Sequence, residues 1–147
     1  MVWAYLLLAF AAGVMLPFQA GVNAELAHWV NSPFRAAFVS FLVGTLVLLV
    51  VAALIFKPLP SWTRLGDAPW WVWIGGALGA FYVSGSIISA PKLGAATLIA
   101  LVVAGQALAS LAVDHFGWVG FEENPISLGR IGGMILIAAG VVLVRIF

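Results

Sequence analysis

Cysteine is absent from this 147-residue chain, which excludes disulfides, thiolate metal sites and cysteine nucleophiles, although it says nothing about compartment. Charge is nearly absent too: Asp, Glu, Lys and Arg make up 7% of residues, against about 25% in an ordinary soluble domain. Six Lys and Arg against five Asp and Glu leave a net charge of +1 and no basic run, so no nucleic-acid partner is expected. The two histidines, His28 and His115, stand 87 residues apart with no metal-ligand or triad spacing around either. Neither a metal, a cofactor nor an enzymatic activity is implied.

What the chain has is apolar length. Hydrophobic residues make up 65% of it, and a helix needs roughly 20 of them to cross a hydrocarbon core about 30 Å thick. The sequence holds about five such lengths and no room for a soluble domain, so the expected fold is an all-α polytopic membrane protein, residues 1–147 forming a single five-helix transmembrane domain whose principal partner is the lipid bilayer. Breakers place the helices. The first runs over about 2–29; it lacks a basic leader ahead of its apolar run and is expected to be retained. Asn31, Ser32 and Pro33 supply a cap and a first-turn proline for the second, about 33–56. A polar connection over 57–69 precedes the third, about 70–90, which Pro91 is expected to end. A short turn leads to the fourth, about 93–113, and Asn124 with Pro125 is expected to start the fifth, about 125–146. Six tryptophans, Trp3, Trp29, Trp62, Trp70, Trp71 and Trp118, fall at these ends or in the connections, as an interfacial belt requires, and Trp73 lies one turn inside.

The basic residues divide evenly. Lys57, Arg64 and Arg130 fall on the side of the N-terminus, and Arg35, Lys92 and Arg145 on the other. Orientation follows the Lys/Arg bias near span ends, and here the bias vanishes. An odd number of spans without such a bias predicts dual topology, and with it an antiparallel homodimer of ten helices. That assembly reproduces the inverted-repeat symmetry of many secondary transporters, whose substrate sites lie near the midplane.

Polar groups at membrane depth need partners and so mark candidate sites. Gln19 and Asn23 lie four apart on one face of helix 1, just after Pro17, which frees the carbonyl of Gly13 and marks a bend. Gly75, Gly79, Tyr82, Ser86 and Ser89 follow helical spacing along helix 3, and Gln106 and Ser110 lie four apart on helix 4, one turn before Asp114. Gln19, Asn23, Tyr82, Ser86 and Gln106 are the expected substrate contacts. Intramembrane serine and glycine serve packing at least as readily as binding, and Gly75 with Gly79, Ser40 with Gly44, and Gly129 with Gly133 read as close-packing pairs. With Gly140 further along, the Gly129 and Gly133 pair makes helix 5 the expected dimer seam. No charge lies in the middle of a span, where it costs about 2.5–3.5 kcal/mol on the mildest scale. Glu25, near the end of helix 1, is the nearest candidate for ion coupling, with Arg35 as a prospective partner; an interfacial acid in water is the plainer reading. The uncharged lining favours a small neutral or amphiphilic solute over a cation.

Several strings carry a resemblance: Pro17-Phe18-Gln19-Ala20-Gly21-Val22-Asn23-Ala24, Ser40-Phe41-Leu42-Val43-Gly44-Thr45, Pro69-Trp70-Trp71-Val72-Trp73-Ile74-Gly75-Gly76, Ala90-Pro91-Lys92-Leu93-Gly94-Ala95-Ala96 and Gly105-Gln106. In order and spacing they resemble the YdcZ-like family of bacterial five-helix membrane proteins, also called domain of unknown function 606, within the drug/metabolite transporter superfamily. The stretch 132–144 also resembles the final helix of small multidrug-resistance proteins. The resemblance implies a half-transporter of the bacterial inner membrane, pairing as an antiparallel homodimer or with an oppositely oriented paralogue. Gly105, like Gly13, Pro17, Gly75 and Gly79, is expected to serve helix bending and packing. Small multidrug-resistance proteins carry an essential glutamate in helix 1 where this chain has Gln19 and Asn23, so their cation-for-proton chemistry does not carry over. A transporter half working by alternating access is the expected function; a passive pore and a non-transporting assembly subunit are the alternatives.

Overall fold

A computed structural model describes residues 2–55 and 66–147. Five long helices account for nearly all of them: α1, Val2–Trp29; α2, Pro33–Ile55; α3, Gly75–Leu93; α4, Ala95–Phe116; and α5, Leu128–Ile146. All five are long and apolar enough to span a membrane, α3 counted with the short turn before it, and there is no strand among the described residues. Their outward faces are apolar as well. Leu46, Val47, Leu48, Leu49 and Val50 in succession are more than half exposed on α2, a pattern tolerated where the surrounding medium is lipid. The charge tally rests in part on Lys57 and Arg64, which lie outside the described residues, as do Phe56 and Trp62.

Local chemistry explains where each helix starts and stops. Between α1 and α2, Asn31 takes a left-handed conformation with φ 52°, which asparagine tolerates better than most residues. The Ser32 hydroxyl then accepts a hydrogen bond from the backbone N–H of Arg35 at 3.4 Å, capping α2 with Pro33 in its first turn. At the start of the third span the expected α-helix from Trp70 is instead a 3₁₀ turn over Trp70–Ile74, and α-geometry begins at Gly75. Pro69 offers no side-chain cap there, and a tighter first turn satisfies the early carbonyls, as where Val72 N–H donates to Pro69 O at 3.1 Å.

Four expected boundaries in the last three spans are corrected. Pro91 does not end α3, which continues to Leu93 with the proline inside its last turn. A proline so near the end forfeits a single backbone bond, and the actual breaker is Gly94, whose φ of 74° suits a residue without a Cβ. The fourth span accordingly starts at Ala95 and runs to Phe116, past the expected end at 113. The fifth does not start at Pro125. It starts at Leu128 behind Ser127, whose hydroxyl accepts from Arg130 N–H at 3.3 Å; a side-chain cap that satisfies an orphan donor outweighs a proline's fixed φ.

The chain divides into two compact units. In Phe18–Lys92, Ala36 and Ala37 of α2 meet Val83 and Ile87 of α3 in a small core, with Leu26 and Ala27 of α1, Val30 of the turn after it and Tyr82 packed around it. Alanines at the crossing bring the backbones close, the packing mode that replaces the hydrophobic drive inside a bilayer. In the unit formed by 1–17 and 93–147, α4 packs against α5. The connection between those two helices is tied at several points. Gly117 caps α4 in a left-handed conformation, Asn124 N–H donates to Asp114 O at 2.7 Å, and Ile126 N–H donates to His115 Nδ1 at 3.3 Å. The His115 ring meets Phe116 edge-on, with centroids 4.6 Å apart, and Phe116 stacks on Trp118 at 4.9 Å.

Candidate functional site

The polar residues of the unit Phe18–Lys92 gather along α1 and α3. Asn23 is 5% exposed and Ser86 7%, which makes them the two buried polar residues of this unit among the described ones. Gln19, one turn before Asn23, lines a cavity of about 230 Å³ with Ser40, Phe41, Gly44 and Thr45 of α2 and Val83 of α3. A second cavity, of about 390 Å³, is lined by Ala24 of α1 and Ile87 of α3. Asn23 and Ser86 line neither cavity, though each is adjacent in sequence to a residue that lines the second, Ala24 and Ile87. Tyr82 is half-buried and packs against the alanine core.

This arrangement can hydrogen-bond a solute without charging it. Gln19 and Asn23 each offer an amide with donor and acceptor, and Ser86 and Ser40 offer hydroxyls. Thr45 has its proton committed, since its Oγ1 donates to Phe41 O at 2.8 Å, leaving an acceptor to face the cavity. No acid, lysine, arginine or histidine lines the Gln19 cavity. The tightest glycine is here as well: a Cβ on Gly79 would meet Phe41 Cζ at 3.3 Å, so the phenylalanine ring rests on the bare backbone of α3.

Other expected residues are not brought to this place. Gln106 is exposed on α4 in the other unit, where the Ser110 hydroxyl donates to Ala107 O at 3.0 Å within its own helix. Glu25 is exposed and forms no ion pair with Arg35 among the described residues. Nothing described lies within 4 Å of a Cβ placed on Gly13, Gly75, Gly105, Gly133 or Gly140, and Gly129 has the Ser127 hydroxyl at 4.0 Å alone. Pro17 sits within α1, which continues unbroken through it.

Sequence reasoning missed three features. Ser40, which reads from the sequence as a packing residue, lines the Gln19 cavity with Thr45; the available signal is a hydroxyl at each end of the string 40–45 on α2. Thr97, 8% exposed, is buried at the start of α4. Arg130 pairs with Asp114, an ion pair foreshadowed only by the placement of both residues on one side of the membrane.

Five membrane-length apolar helices, with tryptophans at their ends, define a multi-pass helical membrane protein. The model of the family described as "Putative inner membrane exporter, YdcZ" matches residues 4–143. The chain is also 35% identical over 143 residues to the inner membrane protein YdcZ of Escherichia coli strain K12, covering 95% of this chain and 94% of that protein. It belongs to this family, and it is a multi-pass protein of the inner membrane. The family's description as an exporter supports a role in transport. No solved structure matches the chain.

Proposed function

We propose that this chain is one half of a secondary transporter that moves a small neutral or amphiphilic solute by alternating access, the whole transporter being an antiparallel dimer. The observation that carries the reading is a cavity of about 230 Å³ lined by Gln19, Ser40 and Thr45 with no charged side chain, in a compact unit that also holds the buried Asn23 and Ser86 and the half-buried Tyr82. A polar side chain at membrane depth is costly unless it finds a partner, and Gln19, which lines the cavity, is placed to find one in a polar solute. The even division of Lys and Arg and the odd number of spans support insertion both ways up, with a homodimer as the product and a heterodimer with a paralogue as the variant of the same design. In that dimer Gly129, Gly133 and Gly140 of α5, beside which the chain itself places almost nothing, are proposed as the seam. Gln106 belongs to the other compact unit, so its part is tested separately, and Glu25 is proposed as the coupling acid only if transport proves proton-driven.

The test is flux of neutral and amphiphilic solutes into proteoliposomes holding the wild type, Gln19→Leu, Asn23→Leu or Gln106→Leu. Saturable, counter-exchangeable flux that falls in Gln19→Leu and Asn23→Leu is the expected result. Flux that does not saturate would make the protein a pore, and full activity in both variants would remove these residues from the mechanism.

A further inference from the structure

We propose that the cavity of about 390 Å³ in the unit Phe18–Lys92 binds the headgroup of an anionic phospholipid. This cavity is separate from the one around Gln19 and has a different chemistry. It opens where α1 ends, α2 begins and α3 ends, so that His28, Asn31 and Lys92 stand at its rim while Ala27, Ile87 and Ile88 form its inner wall. Three helix ends meeting at one place put the rim at the level of the lipid headgroups, and Trp29, adjacent to His28 and 79% exposed, is a residue typical of that level.

The charge at the rim has one sign. Lys92 is exposed, forms no ion pair among the described residues, and brings an ammonium with three donors. His28 and Asn31 add ring and amide N–H groups, and no Asp or Glu lines the cavity. Arg35, exposed in the first turn of α2, adds a second cation on the same side of the membrane, and Glu25 on α1 is not part of the lining. A cavity with donors and a cation at its mouth and methyl groups behind them complements a molecule that is anionic at one end and apolar at the other. A free anion would gain nothing from the alanine and isoleucine wall. A phospholipid places its phosphate at the rim and its glycerol and first methylenes inside, and the volume lies at the lower end of the roughly 300–1,000 Å³ found for small-ligand sites. Basic pockets at helix ends are a recurrent means of holding anionic headgroups.

Spin-labelled phosphatidylglycerol and phosphatidylcholine in proteoliposomes test this directly, the readout being the ratio of their association constants at the protein surface. The wild type is expected to prefer phosphatidylglycerol, Lys92→Arg to keep the preference, and Lys92→Gln to lose about fivefold of it, as expected for one interfacial cation. Equal association of the two lipids with the wild type overturns the proposal, as does a preference unchanged in Lys92→Gln. Displacement of the labelled phosphatidylglycerol by inorganic phosphate also overturns it, because the site would then bind a soluble anion.

Discussion

Arg130, one turn into α5, pairs with Asp114 in the last turn of α4: its Nη2 meets the carboxylate while its Nη1 donates to the Asn124 carbonyl at 2.9 Å. The two side chains are 30% and 27% exposed, so water screens the pair in part. Asp114→Asn and Arg130→Gln are each expected to lower stability by about 1 kcal/mol, with the double variant losing less than the sum. Thermal unfolding of the four proteins in detergent checks this, and strict additivity would show that the pair contributes nothing.

Gly117 holds φ at 58° while the Phe121 carbonyl lies 3.4 Å from where a Cβ would be. Strained backbone and a close neighbour act together there. Gly117→Ala is expected to cost about 1–2 kcal/mol, whereas Gly105→Ala, inside α4 with open space around it, is expected to cost nothing. Matched unfolding curves for the two variants separate a conformational requirement from a general intolerance of alanine.

Phe41 rests against Gly79 and also lines the Gln19 cavity, so the size of residue 79 governs where the ring can lie. Gly79→Ala asks the ring tip to move a few tenths of an ångström and is expected to leave flux near normal. Gly79→Leu drives the ring into the cavity, and solute flux is expected to drop at least about tenfold, the scale of an overpacking cost of roughly 1–3 kcal/mol. Unchanged flux in Gly79→Leu would place the pathway elsewhere.

Dual topology is open to a simple chemical test because the chain has no cysteine. Glu122 is exposed in the connection between α4 and α5, and Glu122→Cys leaves the Lys/Arg balance untouched. A membrane-impermeant thiol reagent applied to intact cells is expected to label about half of the molecules, as equal insertion in both orientations requires. Labelling of all or none would leave the heterodimer as the surviving form of the proposal.

Much of the fold is legible in the residues because a bilayer leaves few options: an apolar run of sufficient length has to be a helix. The Asn31, Ser32 and Pro33 turn reads correctly because each residue has a separate local reason to be there. Proline misleads in two places, and for one reason. At Pro91 and Pro125 the ring restricts its own backbone, but the helix end is decided by a neighbour, Gly94 with its positive φ or Ser127 with its capping hydroxyl. The site is less legible. Helical spacing puts Gln19 and Asn23 on one face, yet spacing within a helix says nothing about which other helix is opposite, and so Ser40 passes as a packing residue and Thr45 goes unread until α2 is seen beside Gln19. Gln106 is the converse case: its composition suits a pathway, while tertiary structure gives it an exposed place in the other unit.

The ties that run from Asp114 and His115 to Asn124, Ile126 and Arg130 also bear on biogenesis. They lie wholly within the hairpin of the fourth and fifth spans, and so form only after the three preceding helices have been synthesised. Once Arg130 is closed onto Asp114, α4 and α5 present themselves to the insertion machinery as a single preassembled object, with one of the six basic charges already neutralised. Such a hairpin crosses at a lower electrostatic cost than its sequence alone implies, and with Arg130 neutralised two basic residues on one side face three on the other, so an early pairing would tilt a balance that the sequence leaves even.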